Sequence, residues 1–162
     1  MPEIQIMNAV TILHAKFPDD AHEVVSIFRE YVSSPTANLD FQNYESEFRN
    51  LPGQYAEPDG RIALAWEQNS VVGCAALRRV RSSTCELKRV YVRPGARGNN
   101  VGRRLVEHMI KEARQQGYSQ MCLDVLPEFV AAQNLYESLG FTSSQAVSYN
   151  PVPGTKFLAL NL

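Results

Sequence analysis

Val90-Tyr91-Val92-Arg93-Pro94-Gly95-Ala96-Arg97-Gly98-Asn99-Asn100-Val101-Gly102-Arg103-Arg104-Leu105 is the stretch on which the fold turns. It opens as the end of a strand, is stopped by Pro94, runs through a loop of small residues and enters a helix at Val101-Gly102. Val101, Leu105, Met109 and Ala113 recur every four positions, and Val106 and Ile110 widen the apolar stripe. That spacing predicts a helix over Val101 to Gln116, with Gly117 where a helix ends. The first N–H groups of a helix have no partner inside it, and the aligned peptide dipoles add about half a positive charge there. With Arg97, Arg103 and Arg104 close by, the loop makes a site for a phosphate or pyrophosphate. An ordinary loop with Asn99 or Asn100 as the helix cap accounts for the same residues. GxxxxGK followed by Ser or Thr is absent, and so is GxGxxG, which argues against a P-loop and a dinucleotide-binding Rossmann unit.

Working outward, Cys85 to Arg93 reads as a strand with Glu86, Lys88 and Val90 on one face and Leu87, Arg89 and Tyr91 on the other. Arg61 to Glu67 and Ser70 to Arg78 make an antiparallel hairpin that turns at Gln68-Asn69. Further upstream, Ile4 to Leu13 alternates loosely as a first strand. A helix from Pro18 or Asp19 to Val32 puts Val24, Val25, Phe28 and Tyr31 on one side, with Asp19 or Asp20 as its cap. A shorter helix is expected from Phe41 to Arg49, after an exposed loop over Ser33 to Asn38. Downstream, Met121 to Leu126 is a buried strand, Glu128 to Leu139 a helix stopped by Gly140, and Lys156 to Leu160 a last strand. Strands and helices alternate in the second half, so the class is α/β with a mixed sheet, in a single domain over residues 1–162.

Sixteen basic residues against seventeen acidic ones leave a charge of −1, without the basic excess of a nucleic-acid binder. Cys74, Cys85 and Cys122 lack CxxC spacing and read as buried free thiols of a reducing cytoplasm. His14, His22 and His108 form no HxxxH or HxH pair, so no metal site is expected. The opening MPEIQIMNAV lacks the features of a signal peptide, and no apolar run approaches the ~20 residues of a membrane helix. A cytoplasmic protein is expected, with neither nucleic acid nor membrane as partner.

The stretch from Val90 to Leu105 resembles the acetyl-CoA motif of the GNAT acetyltransferase superfamily: a basic residue or Gln, two variable positions, Gly, one variable position, then Gly or Ala. Arg97 and Gly102 match, while Asn100 stands where Gly is most common. Asn tolerates positive φ better than other non-Gly residues, so the turn can survive, although its side chain limits close backbone approach. Asn134-Leu135-Tyr136, followed by Leu139-Gly140-Phe141, resembles the family's later motif, at a distance that fits one helix and one strand. The resemblance covers Arg61 to the C-terminus well and the first helices loosely.

It implies a mixed, mostly antiparallel, twisted central sheet flanked by helices, with a splayed strand pair that holds the pantetheine arm of acetyl-CoA. The backbone of Val90 and Val92 would then pair with that arm. The N–H groups of Gly98, Asn99, Asn100, Val101, Gly102 and Arg103 would hold the pyrophosphate beside Arg97, and Asn134 would touch the pantetheine. Tyr136 is implied as the general acid that returns a proton to the CoA thiolate. Glu86 is the candidate base, because some members keep a glutamate on this strand; a cross-strand ion pair is the competing role. Asp124 and Glu128 are weaker candidates. The acceptor, a small-molecule amine, an amino acid or a peptide, would bind between the early helices and the C-terminal hairpin, near Tyr31, Phe41, Tyr44, Glu45, Glu47 and Tyr149. The family's habits allow a homodimer. A non-catalytic acetyl-CoA sensor is the alternative that Asn100 leaves open, and a purely structural protein on the same fold is another.

Overall fold

A computed structural model describes residues 9–162 of the chain. Seven strands form one sheet in the order β1 (Val10–His14), β2 (Arg61–Glu67), β3 (Ser70–Arg81), β4 (Thr84–Val92), β5 (Gln120–Val125), β7 (Lys156–Asn161), β6 (Thr142–Ser143). Neighbours run antiparallel except β4 and β5, which are parallel. The expected mixed, mostly antiparallel sheet is therefore present. The first strand begins at Val10; the part expected over Ile4 to Asn8 lies outside the described residues.

Among the described residues, four α-helices cover the sheet: α1 (Ala21–Ser33), α2 (Tyr44–Arg49), α3 (Val101–Gln115) and α4 (Val130–Ser138). The single helix expected over Phe41 to Arg49 is broken. Asn43 takes φ 52° and ψ 43°, which ends a short 3-10 turn over Asp40–Gln42 before α2 starts. Asp20 precedes α1, but its carboxylate accepts from the Lys16 N–H at 2.7 Å instead of capping the helix. The β2–β3 hairpin turns at Gln68, φ 56°, as its sequence implied.

One apolar cluster lies under α3, where Leu105, Val106, Met109 and Ala113 are fully buried against Ala63, Ala75, Leu77 and Met121. Each large side chain among these contributes roughly 1.5–3 kcal/mol by leaving water. On the other face, Val24, Ile27 and Phe28 of α1 and Phe48 of α2 pack on Tyr55, Leu64 and Cys74. Cys74, Cys85 and Cys122 are buried free thiols, as expected.

The regular alternation expected along β4 fails, and the failure shapes the site. Cys74 pairs with Tyr91 and Ala76 with Lys88, so Arg89 and Val90 together oppose one residue of β3, in a β-bulge. Arg89 sits at φ 59°. The extra residue inverts the strand's faces: Leu87, Val90 and Val92 all join the α3 cluster, while Arg89 and Tyr91 point towards α1 and α2.

Candidate active site

β4 and β5 hold register only at Thr84–Gln120, Cys85–Met121 and Glu86–Cys122, after which β5 continues with β7 and leaves β4. A cavity of about 800 Å³ opens in the split. Its walls are β4 from Leu87 to Val92, β5 from Asp124, the start of α3, and α4. This is the splayed strand pair that the resemblance implied. Past Glu86, β4 has no register partner on β5, so its backbone edge beside the cavity is not consumed by a ladder, while the bulge on the β3 side changes the strand's course there.

The start of α3 faces the same space. Gly98 holds φ 89° and Asn100 φ 59°, ψ 19°, a left-handed pair that turns the loop into the helix. Asn100 thus adopts the conformation that Gly supplies more freely, and its side chain makes no cap hydrogen bond. The first helical bond runs from Arg104 N–H to the Asn100 carbonyl, 3.0 Å, so the preceding N–H groups have no helical acceptor. A Cβ added at Gly102 would meet Val92 Cγ2 only at 3.6 Å, an ordinary contact. Packing inside the chain therefore does not demand glycine there, and the missing side chain leaves the backbone open to the cavity. Arg97 donates from Nε to the Val92 carbonyl, 2.9 Å, and Arg103 is held by Glu107 and Ser138.

Of the residues expected to hold the cofactor, Val90, Val92, Arg97, Gly98, Asn100, Val101, Gly102 and Arg103 line the cavity. Asn99 and Asn134 do not: both are exposed and lie outside its lining. Next to Asn134, Gln133 is buried and ties α4 down by donating to the Leu126 and Pro127 carbonyls.

Tyr136 lines the cavity from α4 and is 6% exposed. Its ring packs on Phe141, and its hydroxyl has no hydrogen-bond partner among the described residues. Burial, with lesser help from Tyr31 and Asp124, raises its pKa, so it stays a proton-bearing phenol. Glu86 is placed differently from its expected role. It is 1% exposed, outside the cavity lining, with Oε1 taking Arg78 Nε at 2.8 Å and Oε2 taking the Ser148 hydroxyl at 2.9 Å. Arg78 stands opposite it on β3, so the cross-strand ion pair is the arrangement that forms.

The carboxylate at the split is Asp124. Burial raises its pKa, opposed by the hydrogen bond that Asn150 Nδ2 donates to Oδ2 at 3.0 Å. Across from it Lys88 lines the cavity with no ion pair or side-chain hydrogen bond among the described residues, and burial lowers its pKa. Asp124 was the only charge in an apolar strand, a readable signal; Lys88 and Asn150 gave none. Glu128 accepts from the Thr36 N–H and hydroxyl, which ties the segment after α1 to the cavity rim.

Among the residues suggested for acceptor binding, Tyr31 lines the cavity, with its pKa pushed up to about 12 by burial. Glu45 is paired with Arg29 and Glu47 with Arg89, while Phe41 packs on Tyr149. No helix among the described residues is long and apolar enough to cross a membrane.

The acetyltransferase (GNAT) family model matches residues 22–141. An uncharacterized N-acetyltransferase of Schizosaccharomyces pombe is 32% identical, covering 94% of this chain and 95% of its own. Among solved structures, a Staphylococcus aureus GNAT acetyltransferase shares the fold with TM-score 0.79 at 20% identity, over 94% of this chain and 99% of that one. The Salmonella typhimurium protein yncA, solved with its cofactor acetyl-CoA, has TM-score 0.68 at 27% identity, over 95% and 94%. The split sheet, the open start of α3 and the family match agree: the chain belongs to the GNAT acetyltransferase family and is an acetyl-CoA-dependent acyltransferase.

Proposed function

We propose that this chain, acting as a single acetyltransferase domain, moves acetyl from acetyl-CoA to the primary amine of a small molecule, amino acid or peptide terminus that carries an anion beside the amine. The observation that carries this reading is the common cavity shared by the start of α3, Tyr136, Asp124 and the unpaired Lys88. The free N–H groups from Gly98 to Arg103 hold the pyrophosphate, and Val90 and Val92 pair with the arm. Asp124 takes the proton of the incoming ammonium, directly or through a water. The amine lone pair then attacks the thioester carbonyl: a C–N bond forms, a backbone N–H of the bulged strand receives the oxyanion, and the C–S bond breaks. Tyr136 protonates the leaving thiolate, whose basicity the same buried cavity raises, and regains a proton from the acylated nitrogen, so that a neutral amide and the CoA thiol leave.

Lys88 selects the acceptor. An ammonium left unpaired in a half-buried wall is best satisfied by a carboxylate or phosphate on the ligand. Relatives named as N-acetylaspartate synthetases, such as the mouse protein at 31% identity, accord with an acidic acceptor, though the chain spans only 37% of that protein's length. The test is a thiol-release assay with acidic, neutral and cationic amines. Acidic acceptors should lead, and Lys88→Met should raise their KM by about 10-fold or more. A preference for polyamines, with Lys88→Met silent, would overturn the acceptor assignment.

A further inference from the structure

Away from the acetyl-transfer cavity, the edge strand β1 and helix α3 bring together three side chains that no local motif joins. His14 Nε2 faces His108 Nε2 at 3.1 Å, with ring centroids 5.2 Å apart. Glu112, one turn beyond His108 on the same face of α3, points Oε1 at both: 3.5 Å from His14 Nε2 and 4.0 Å from His108 Nε2. All three ligand atoms lie within 4.8 Å of one another.

The geometry points to a zinc-class divalent metal site formed by His14, His108 and Glu112. Ligands about 2.0–2.1 Å from a tetrahedral zinc stand roughly 3.3–3.5 Å apart, and the three separations bracket that value. Two imidazoles that meet nitrogen to nitrogen must share one proton or one cation between them. Protonating both would set two positive charges side by side. A metal ion takes the place of that proton with neutral imidazoles as ligands.

The surroundings suit the same ion. Glu57 Oε1 lies 3.9 Å from His14 Nδ1, too far for a hydrogen bond but close enough to add negative charge beside the ion. Arg61 Nε stands 3.4 Å from Glu112 Oε2 and 3.5 Å from Glu57 Oε1, so it offsets one carboxylate and leaves Glu112 Oε1 for the histidines. Arg61 is itself fixed by donating to the Pro58 and Gly60 carbonyls. The histidines are partly exposed, which gives the ion an entry path and a fourth position for water. The buried thiols do not compete: burial pushes Cys85 and Cys122 up to about 12 and Cys74 higher still. Bound metal clips the sheet edge at β1 to α3 and stabilises the fold by mass action, without entering acetyl transfer.

The experiment uses the whole chain, stripped with a chelator and titrated with Co²⁺ and then Zn²⁺. One equivalent of Co²⁺ should produce the visible d–d absorption of a four-coordinate site, Zn²⁺ should displace it, and Zn²⁺ should raise Tm. His14→Asn and His108→Gln should each abolish the cobalt spectrum and the Tm rise while acetyl transfer continues, which also shows that both variants fold. Absence of saturable binding by either ion, or binding that survives both substitutions, would overturn the site.

Discussion

Glu86 and Cys122 face each other across β4 and β5, and they are the last pair of those strands to hold register. Up to that point the parallel pair is an ordinary ladder. Beyond it β5 takes β7 as its partner, and the β4 bulge at Arg89 turns the departing strand outward. Glu86 thus marks the apex of the split. Its carboxylate is fixed there by Arg78 and Ser148, while the cavity opens just past it, at Lys88 and Asp124.

Replacing Tyr136 by Phe should lower kcat by about 10²–10⁴-fold. Because the hydroxyl has no partner among the described residues, Tm and acetyl-CoA affinity should hold. Steady-state kinetics together with calorimetric titration decide this; unchanged turnover removes Tyr136 from proton transfer.

Asp124 makes two opposed predictions. Burial raises its folded pKa above the unfolded 3.8, so the folded state binds its proton more tightly and loses stability as pH rises through that interval. At neutral pH the buried charge therefore costs stability, and Asp124→Asn should raise Tm there. The same change should collapse kcat/KM and remove the acidic limb of its pH profile, along which wild-type activity falls as Asp124 takes up a proton. A pH–rate profile and thermal melts test both, and retained activity with an unchanged acidic limb would release Asp124 from the base role.

Asn100 occupies left-handed backbone at the start of α3. Asn100→Gly should leave acetyl-CoA binding unchanged or tighter, since Gly holds that conformation freely. Asn100→Val should strain it by about 1–2 kcal/mol and weaken binding. A marked loss of affinity in the Gly variant would mean that the Asn side chain itself contacts the cofactor.

Arg89 is 2% exposed and reaches Glu47 through two hydrogen bonds, 3.1 and 3.2 Å, and Gln42 through a third. Removing Glu47 leaves a buried guanidinium without its counter-charge, so Glu47→Ala should cost roughly 3–5 kcal/mol in denaturant unfolding. Glu45→Ala, which breaks an exposed pair with Arg29, should leave the unfolding midpoint in place.

The sequence by itself determined what local periodicity and backbone chemistry can determine. The four-residue repeat of α3, the Pro94 stop, the loop through Gly98 and the hairpin at Gln68 are all encoded within a few positions of one another, and each stands where it was expected. Tyr136 was singled out only through the resemblance of Asn134-Leu135-Tyr136 and Leu139-Gly140-Phe141 to a family motif, and the structure places it in the cavity wall. Tertiary structure decided the rest. One extra residue in β4 reverses which side chains face the core, and a bulge of this kind has no period to betray it. It sends Arg89 to Glu47, and the register across β3 and β4 spends Glu86 on Arg78, while Asp124 and Lys88 are left to face the cavity. His14 and His108 meet only because β1 lies at the sheet edge under α3, across most of the chain's length. Contacts between residues so far apart depend on strand order and register, which are set by the packing of the whole sheet and not by any short stretch of it.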